Sequence, residues 1–421
     1  MTTADKTEVL AAINKLGRRV TVSDVAAQTG LALHNTTLLL NRVAAETRGN
    51  LEVSDGGTIV YSFAPNFESS YALHGILRAT QDAARKLFHF LYFLLRVSFG
   101  VTLIASLITI ALLLVFVVIQ VVNKGSDGNS GDGAGFNLGW FDINDFGSFF
   151  TWQIAAHQYG NDWEAYTRGD YLAPGDRPEH QSFLLNCYSF LFGDGNPNEK
   201  FSERTWQIIA ERIRKNGGVT TKEELACFTG ADPNREYDAL PVLVRFDGVP
   251  SVTETGNIVY AFPSLQVTAV GTDASVVPNT LEEKRWQFST RSFDELAIVA
   301  AFGLLNLVGA VTLLAVPAKV ANLHRFEPLI HWLIAYGVFF LFFPILRFAV
   351  LRVVNIFIDI RNERRAKNVQ LLLDASPELA TKLAEAQQLA IAMHQITSEQ
   401  IVYTTSSDIL DQQFDDQSPR A

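Results

Sequence analysis

Cys187 and Cys227 are the only thiols in this chain of 421 residues. Thiolates ligate soft metals, hold iron-sulfur clusters and close disulfides. A four-cysteine site needs four sulfurs, and these two stand apart with no CxxC. One chain can therefore build neither a disulfide framework nor a four-cysteine metal or cluster site. The eight histidines are scattered. His89 and His331 fall at the edges of apolar runs, where interfacial packing is the plain reading and cofactor ligation the sharper one. His157 and His180 have no partner at ligand spacing. Asp194, Asn196 and Asn198 lie in GDGNPN, an oxygen-rich stretch of the cation-loop kind. It lacks the twelve-residue spacing and closing Glu of an EF-hand, so a tight turn is expected. Residues 125–135 carry Asp among Gly and read as plain linker. No HExxH, nucleophile elbow, P-loop or dinucleotide fingerprint occurs. No catalytic, cofactor or metal residue is assigned, and the chain is expected not to be an enzyme.

The elements that would position any site are set by one stretch, VSFGVTLIASLITIALLLVFVVIQVV at 97–122. It carries no charge and is long enough for a hydrocarbon core of about 30 Å. The rest of the chain is organised around it. The fold class expected is an α-helical membrane protein with about three transmembrane helices and two winged-helix (α+β) domains. A composition 48% hydrophobic, with 30 Phe and a mean hydropathy of +0.13, agrees. The first residues, MTTADKTEV, show no basic region followed by an apolar one, so insertion is expected from the helices themselves.

The first winged helix is read in 1–68. Helical periodicity over EVLAAINKL stops at Gly17, a capped helix ends at Gly30, and a third helix follows from about Leu33. LEVSDGGTIVYSF then alternates about a glycine turn, a hairpin signal. The pattern returns about 199 residues later in 204–264, where PSVTETGNIVYAF matches the hairpin. Such a repeat points to a duplicated domain. Pro241 falls in the second copy's third helix, which is expected to be short.

Between the copies lie a helical or interfacial lead at 69–96, the first membrane helix, and a Gly-, Asp- and aromatic-rich linker region at 123–203. The linker holds HQSFLLNCYSFLFG, apolar but too short to span. Beyond the second copy come a connector at 265–295, a second membrane helix at 296–317 and a third at 328–358. The third is kinked near Pro344 and has an amphipathic end. Helices at 359–398 and an acidic tail at 399–421 close the chain. Asn306 lies mid-membrane and reads as a helix–helix hydrogen-bonding residue rather than a transport site.

Positive charge marks the cytoplasmic side of spanning helices. Arg78, Arg85, Lys86 and Arg96 place the N-terminus there. Arg347, Arg352, Arg361, Arg364, Arg365 and Lys367 place the end of the third helix there too. Three full crossings cannot satisfy both. Three crossings are nonetheless the first expectation, and a non-crossing apolar segment, with both modules in the cytoplasm, is the alternative.

Winged helices suggest DNA, but the charge balance argues otherwise. In the first module Lys6, Lys15, Arg18, Arg19, Arg42 and Arg48 are matched by Asp5, Glu8, Asp24, Glu46, Glu52 and Asp55. The second is slightly acidic, and the whole chain has a formal net charge of −10. The third helix of the first module, LHNTTLLLNR, offers one Arg, whereas a DNA-reading helix brings several donors. Protein contact is the expected use of the modules.

RVSFG at 96–100 with LIASL, FLFGDGNPN at 190–198, LPVLVRFDG at 240–248, GNIVY at 256–260 and RWQFS at 285–289 are specific. They resemble a cyanobacterial and plastid membrane protein family whose plant members carry the name "iron-sulfur cluster biosynthesis family protein". The resemblance covers about residues 20–370. It implies a photosynthetic lineage, with a cyanobacterial plasma or thylakoid membrane or an envelope-type membrane, and supplies no catalytic residues. The reading is a membrane-anchored, non-enzymatic adaptor or assembly factor. Its partners are the lipid bilayer and a protein, and homo-oligomers are compatible with it. The alternatives are a membrane-tethered transcription regulator, which would depend on Arg42 and Arg48, and an accessory factor in iron-sulfur maturation, which would depend on Cys187 or Cys227.

Overall fold

The computed structural model describes residues 3–65, 67, 76–125, 183–232, 235–270, 278, 280–316 and 323–406. His157, His180, the glycine-rich run after Gly125, the side chain of His89 and the last fifteen residues lie outside this description. The described chain is mostly helical, with small antiparallel sheets and one short parallel pair.

In chain order, α1 (Thr3–Lys15), β1 (Arg19–Thr21), α2 (Val22–Thr29), α3 (Leu33–Thr47), β2 (Asn50–Ser54) and β3 (Ile59–Ser62) come first. The long α4 (Ile76–Gly125) and the short α5 (Phe183–Phe192) follow. Then α6 (Phe201–Lys215), β4 (Val219–Thr220), α7 (Lys222–Thr229), α8 (Leu240–Phe246), β5 (Val249–Val252) and β6 (Ile258–Ala261) run in the same order as the first six. β7 (Val267–Thr268), α9 (Phe293–Ala315), α10 (Glu327–Leu373), α11 (Pro377–Gln388), β8 (His394–Gln395) and β9 (Ile401–Thr404) complete the path.

Two units divide the chain. The first takes in Met1–Leu77, Pro197–Arg285 and Ile356–Ala421, the second Arg78–Asn196 and Trp286–Asn355. Within the first, matched sequence signals give matched structure. Thr21 and Asp24 form a capping box at α2, and Thr221 and Glu224 form one at α7. Each box satisfies donors that a helix N-terminus leaves open. Gly30 and Gly230 end these helices in the left-handed region, which glycine enters without steric cost. At Gly30 a side chain has no room either, since a Cβ would come within 2.9 Å of the Glu203 carbonyl oxygen on α6. In both sheets the middle strand pairs antiparallel to its two neighbours, in the orders β1-β3-β2 and β4-β6-β5. Val9, Ile13, Leu40, Val43 and Tyr61 fill one core, and Ile209, Ile213, Phe246, Tyr260 and Phe262 fill the other.

The termini depart from the sequence expectation. The reading left 399–421 as an acidic tail. Instead Ile401–Thr404 is a strand that pairs antiparallel with β2, with Val53 opposite Tyr403. Residues 265–295, read as a connector, begin with β7, which pairs parallel to β8. The helices expected to fill 359–398 end earlier, at Gln388. The boundary expected at 358 is absent, and α10 runs unbroken from Glu327 to Leu373. No Gly or Pro follows Pro344 before Ser376-Pro377, where the helix has ended. Pro241 lies near the start of α8, which spans seven residues and is preceded by a turn of 3-10 helix.

In the second unit, Phe90–Val122, Phe293–Ala315 and α10 are long and apolar enough to cross a membrane. The first of these is longer than the 97–122 read from the sequence, because the aromatic lead continues the same helix. Between 22% and 33% of each most apolar window is buried, so most of that surface faces outward. The inner surfaces pack through small residues. A Cβ on Gly100 would lie 2.6 Å from the Leu184 Cα, and one on Gly303 would lie 2.7 Å from the Phe340 ring. Asn306 is fully buried and donates from Nδ2 to the Ser106 hydroxyl on α4. α5 sits in this core, with Leu184, Cys187 and Leu191 beside Leu103, Leu107, Val299 and Phe340.

Candidate functional site

The two α/β modules of the first unit meet at Asp24. As the N3 residue of its capping box, its carboxylate accepts from the Thr21 N–H at 3.1 Å and the Thr21 hydroxyl at 2.9 Å. The same carboxylate accepts from Thr268 Oγ1 at 2.6 Å and the Ala269 N–H at 2.9 Å. The Arg214 guanidinium, at the end of α6, closes the group at 2.8 Å. The Asp24 side chain is 1% exposed and that of Arg214 is 16% exposed. A buried charge of this kind is tolerated only when paired and fully hydrogen-bonded. Ser23 adds a hydrogen bond to the Val267 carbonyl. Ala27 and Leu33 of the first module pack against the core of the second.

Beside this junction the third helices of both modules line one groove. Leu33, His34, Thr37 and Ile59 come from the first module, and Val244 and Asp247 from the second, around about 610 Å³. Val244 is 76% exposed, Leu240 53% and Ile59 40%. Arg245, the one cation of α8, is turned away from the groove's solvent side. Its Nε donates to the Gly30 carbonyl at 2.6 Å, and its guanidinium lies 4.5 Å from the Trp206 ring centre. Other cations are similarly engaged: Lys6 with Glu46, Arg19 with Glu52, Lys382 with Glu223. The groove is therefore lined by apolar and neutral polar side chains, with Asp247 its one acid and no Lys or Arg among the described residues, while Arg42 and Arg48 stand exposed at the far end of α3.

A second cluster ties the C-terminal part of α10 to the segment before α9. Asn362 accepts from the Glu283 N–H and donates to its carbonyl, at 3.0 and 2.9 Å. The Glu283 carboxylate pairs with Arg361 and Arg365. The hydrogen bond from Arg361, reinforced by Arg365, outweighs burial and holds Glu283 below the usual carboxylate range. A depressed carboxylate stabilises the fold above its unfolded pKa, and the stabilisation is lost as pH falls through the lower folded value. Glu283→Gln is therefore expected to be less stable than the parent at pH 7, with the gap closing below about pH 4. Urea midpoints measured across that range check this.

The residues singled out by type are distributed as follows. Cys187 is buried in α5 and Cys227 in α7, and neither is in a disulfide. The Cys227 Sγ lies 3.5 Å from the Glu223 carbonyl oxygen. Burial first, and then the Glu224 charge, pushes its thiol up to about 12, so it stays protonated at neutral pH. Among the described residues no group of three or more His, Cys, Asp or Glu comes together. The Asp194 carboxylate, in the oxygen-rich turn, accepts from Ser189, Ser289 and the N–H and hydroxyl of Thr290. Burial opposes ionisation there, but these hydrogen bonds and the Arg291 charge win, and the group is held below its ordinary value. The loop thus uses its carboxylate to fasten the start of α9. His331 donates from Nδ1 to the Glu327 carbonyl within its own helix and is exposed. Sequence reasoning missed the Asp24–Arg214 junction, since each residue carries a sufficient local explanation as cap or helix-end cation.

These features define a protein with three helices apolar and long enough to span a membrane and two α/β modules joined by a buried ion pair. The chain is 32% identical over 433 residues to the Arabidopsis thaliana protein "Uncharacterized protein At5g03900, chloroplastic", across 96% of this chain and 79% of the plant protein. It belongs to the family of that plastid protein. No family model and no solved structure matches it.

Proposed function

We propose that this chain is a membrane-anchored, non-enzymatic adaptor or assembly factor of a photosynthetic-lineage membrane. Its two α/β modules are winged helices, related by duplication, that dock a protein partner through the groove at their third helices. The observation that carries the reading is that groove. The helices that would face DNA in a winged helix are packed beside one another, Val244 of α8 and Ile59 of β3 are exposed in the groove between the modules, and the one cation of α8 is turned inward. Protein-binding surfaces are apolar at the centre with a polar rim, whereas DNA contacts are strongly cationic.

The same reading puts both modules on one side of the membrane. β2, near the N-terminus, is hydrogen-bonded to β9, near the C-terminus, and Asp24 is paired to Arg214. All three segments of the first unit therefore share one compartment, and the number of crossings is even. This reading therefore takes the alternative, a non-crossing apolar segment with both modules on one side, over three full crossings. α9 and α10 leave and return. The first apolar segment is then the one that does not fully cross, since residues 77 and 197, on either side of it, belong to the same unit. The ten residues of α5 span about half a hydrocarbon core. An even number of crossings also reconciles the positive charges at both ends of the membrane region.

The test is impermeant thiol labelling of single cysteines in right-side-out and inverted vesicles. Asp55→Cys and Glu254→Cys, in the hairpin turns, are expected to label with the same sidedness. Arg325→Cys, between α9 and α10, is expected to label from the other side. Opposite sidedness at 55 and 254 would overturn the shared compartment.

A further inference from the structure

The helix α10 is too long for a simple span. It has 47 residues, about 70 Å at 1.5 Å each, where about 20 residues cross a hydrocarbon core. Apart from His331 near its start and Arg352, its solvent-facing residues are apolar from Leu329 to Ile360, a length of about 48 Å. Leu346, Val350, Val353, Ile356, Phe357 and Ile360 are each 40–57% exposed and fall on one face. To bury that whole length in a core of about 30 Å would need a tilt near 50°, beyond the usual range of about 0–40°.

The opposite face of the same stretch is already covered. Ile358 is 1% exposed. Asn355 exchanges two hydrogen bonds with the Trp286 main chain, each at 2.8 Å, and Asn362 does the same with Glu283. The apolar face ends where charge begins. Arg361 is held by Glu283, while Arg352, Arg364 and Lys367 are exposed and form no ion pair among the described residues. Pro344 lies just before the stretch, inside the helix. It removes one main-chain hydrogen bond there and permits a bend. A second helix has the same excess: Leu87, Phe88, Leu91, Leu94 and Leu95 of α4 are 52–66% exposed on the N-terminal side of Arg96.

We propose that residues 346–360 of α10 form an interfacial helix seated on an anionic lipid surface, on the side of the two modules. This rests on the membrane-anchored reading. The apolar side chains lie among acyl chains, as in other amphipathic helices of the interface. Arg352, Arg364 and Lys367 meet the headgroups, each worth about 1 kcal/mol near an anionic surface. The hydrogen-bonded face carries the 283–286 segment. Lipid is the occupant that fits because the apolar face continues from the spanning part without a break and ends in unpaired cations.

The experiment uses the full-length protein reconstituted in vesicles of phosphatidylcholine and phosphatidylglycerol. Single nitroxides are placed at Val353→Cys, Phe357→Cys, Val338→Cys and Glu254→Cys, and their collision rates with oxygen and with a water-soluble nickel chelate are compared. At 353 and 357 the oxygen-to-nickel ratio is expected to be several-fold above that at 254, with 338 higher still. It should drop at 353 and 357 when Arg352, Arg364 and Lys367 are changed together to Gln. A ratio at 353 and 357 as low as at 254, with 338 still high, would overturn the interfacial seat and leave the anchor standing. Low collision with both reagents, accompanied by spin–spin broadening, would show a second copy on this face and also overturn it. A low ratio at 338 would instead sink the membrane-anchored reading itself.

Discussion

Changing Asp24 to Ala is expected to destabilise the first unit by about 3–5 kcal/mol, the usual cost of stripping one partner from a buried pair. Several losses coincide. The Arg214 guanidinium keeps its charge with no counter-ion. The Thr268 hydroxyl and the Ala269 N–H, which donate to the carboxylate, lose their acceptor. The α2 cap loses its reciprocal bond from the Thr21 N–H, itself worth about 1 kcal/mol. Chemical denaturation of the full chain in detergent reads the loss, and the double variant with Arg214→Met separates the terms. If the penalty is mainly the orphaned guanidinium, the double variant recovers a large part of it. If it does not, the hydrogen bonds from the 268–269 segment carry the junction. An Asp24→Ala protein as stable as the parent would show that the modules do not rely on this contact.

The second large effect is expected at Gly100. A side chain there meets backbone, not the end of a flexible chain, because the Leu184 Cα lies 2.6 Å from where a Cβ would be. Gly100→Val should push α5 away from α4 and cost about 3 kcal/mol, the upper part of the overpacking range. The contact is of the small-residue type by which helices in lipid approach closely. Thermal unfolding in micelles measures the loss of stability, and cysteine accessibility measures the displacement. Cys187, buried one turn beyond Leu184 in the parent, should become reactive to a small permeant maleimide. Continued protection of Cys187 with unchanged stability would mean that α5 is not clamped at this point.

Composition and short periodicity made the three apolar helices and the two α/β patterns legible, because each is a local signal. IVYSF and IVYAF alternate, and Thr21 and Thr221 stand at helix starts followed by an acid at the third position. What escaped was set by long-range partners. β9 is four residues long and closes on a strand more than three hundred residues earlier, so nothing nearby in the sequence announces it. α10 continues past 358 because Asn355 and Asn362 are satisfied by main chain from another segment. The polar residues that suggested a helix end are instead its anchoring face. The junction at Asp24 was invisible for the opposite reason: its local role as a cap is complete, and the second set of donors is added without changing the residue type.

The β2–β9 pairing also sets an order of events during synthesis. Leu51 receives its edge partner only when Thr405 has been made, since the Leu51 N–H donates to the Thr405 hydroxyl and its carbonyl accepts from the Thr405 N–H. At about 5–20 residues per second the first sheet waits roughly 20 to 70 s with an open edge. During that interval every apolar helix emerges. The corresponding residue of the second sheet is Pro250, opposite Tyr260 as Leu51 is opposite Tyr61. It has no N–H to offer, so the late strand finds one acceptable edge and not two. A chain released before residue 401 keeps that edge bare and open to pairing with another strand. Closure of the sheet thus reports that synthesis has passed residue 405.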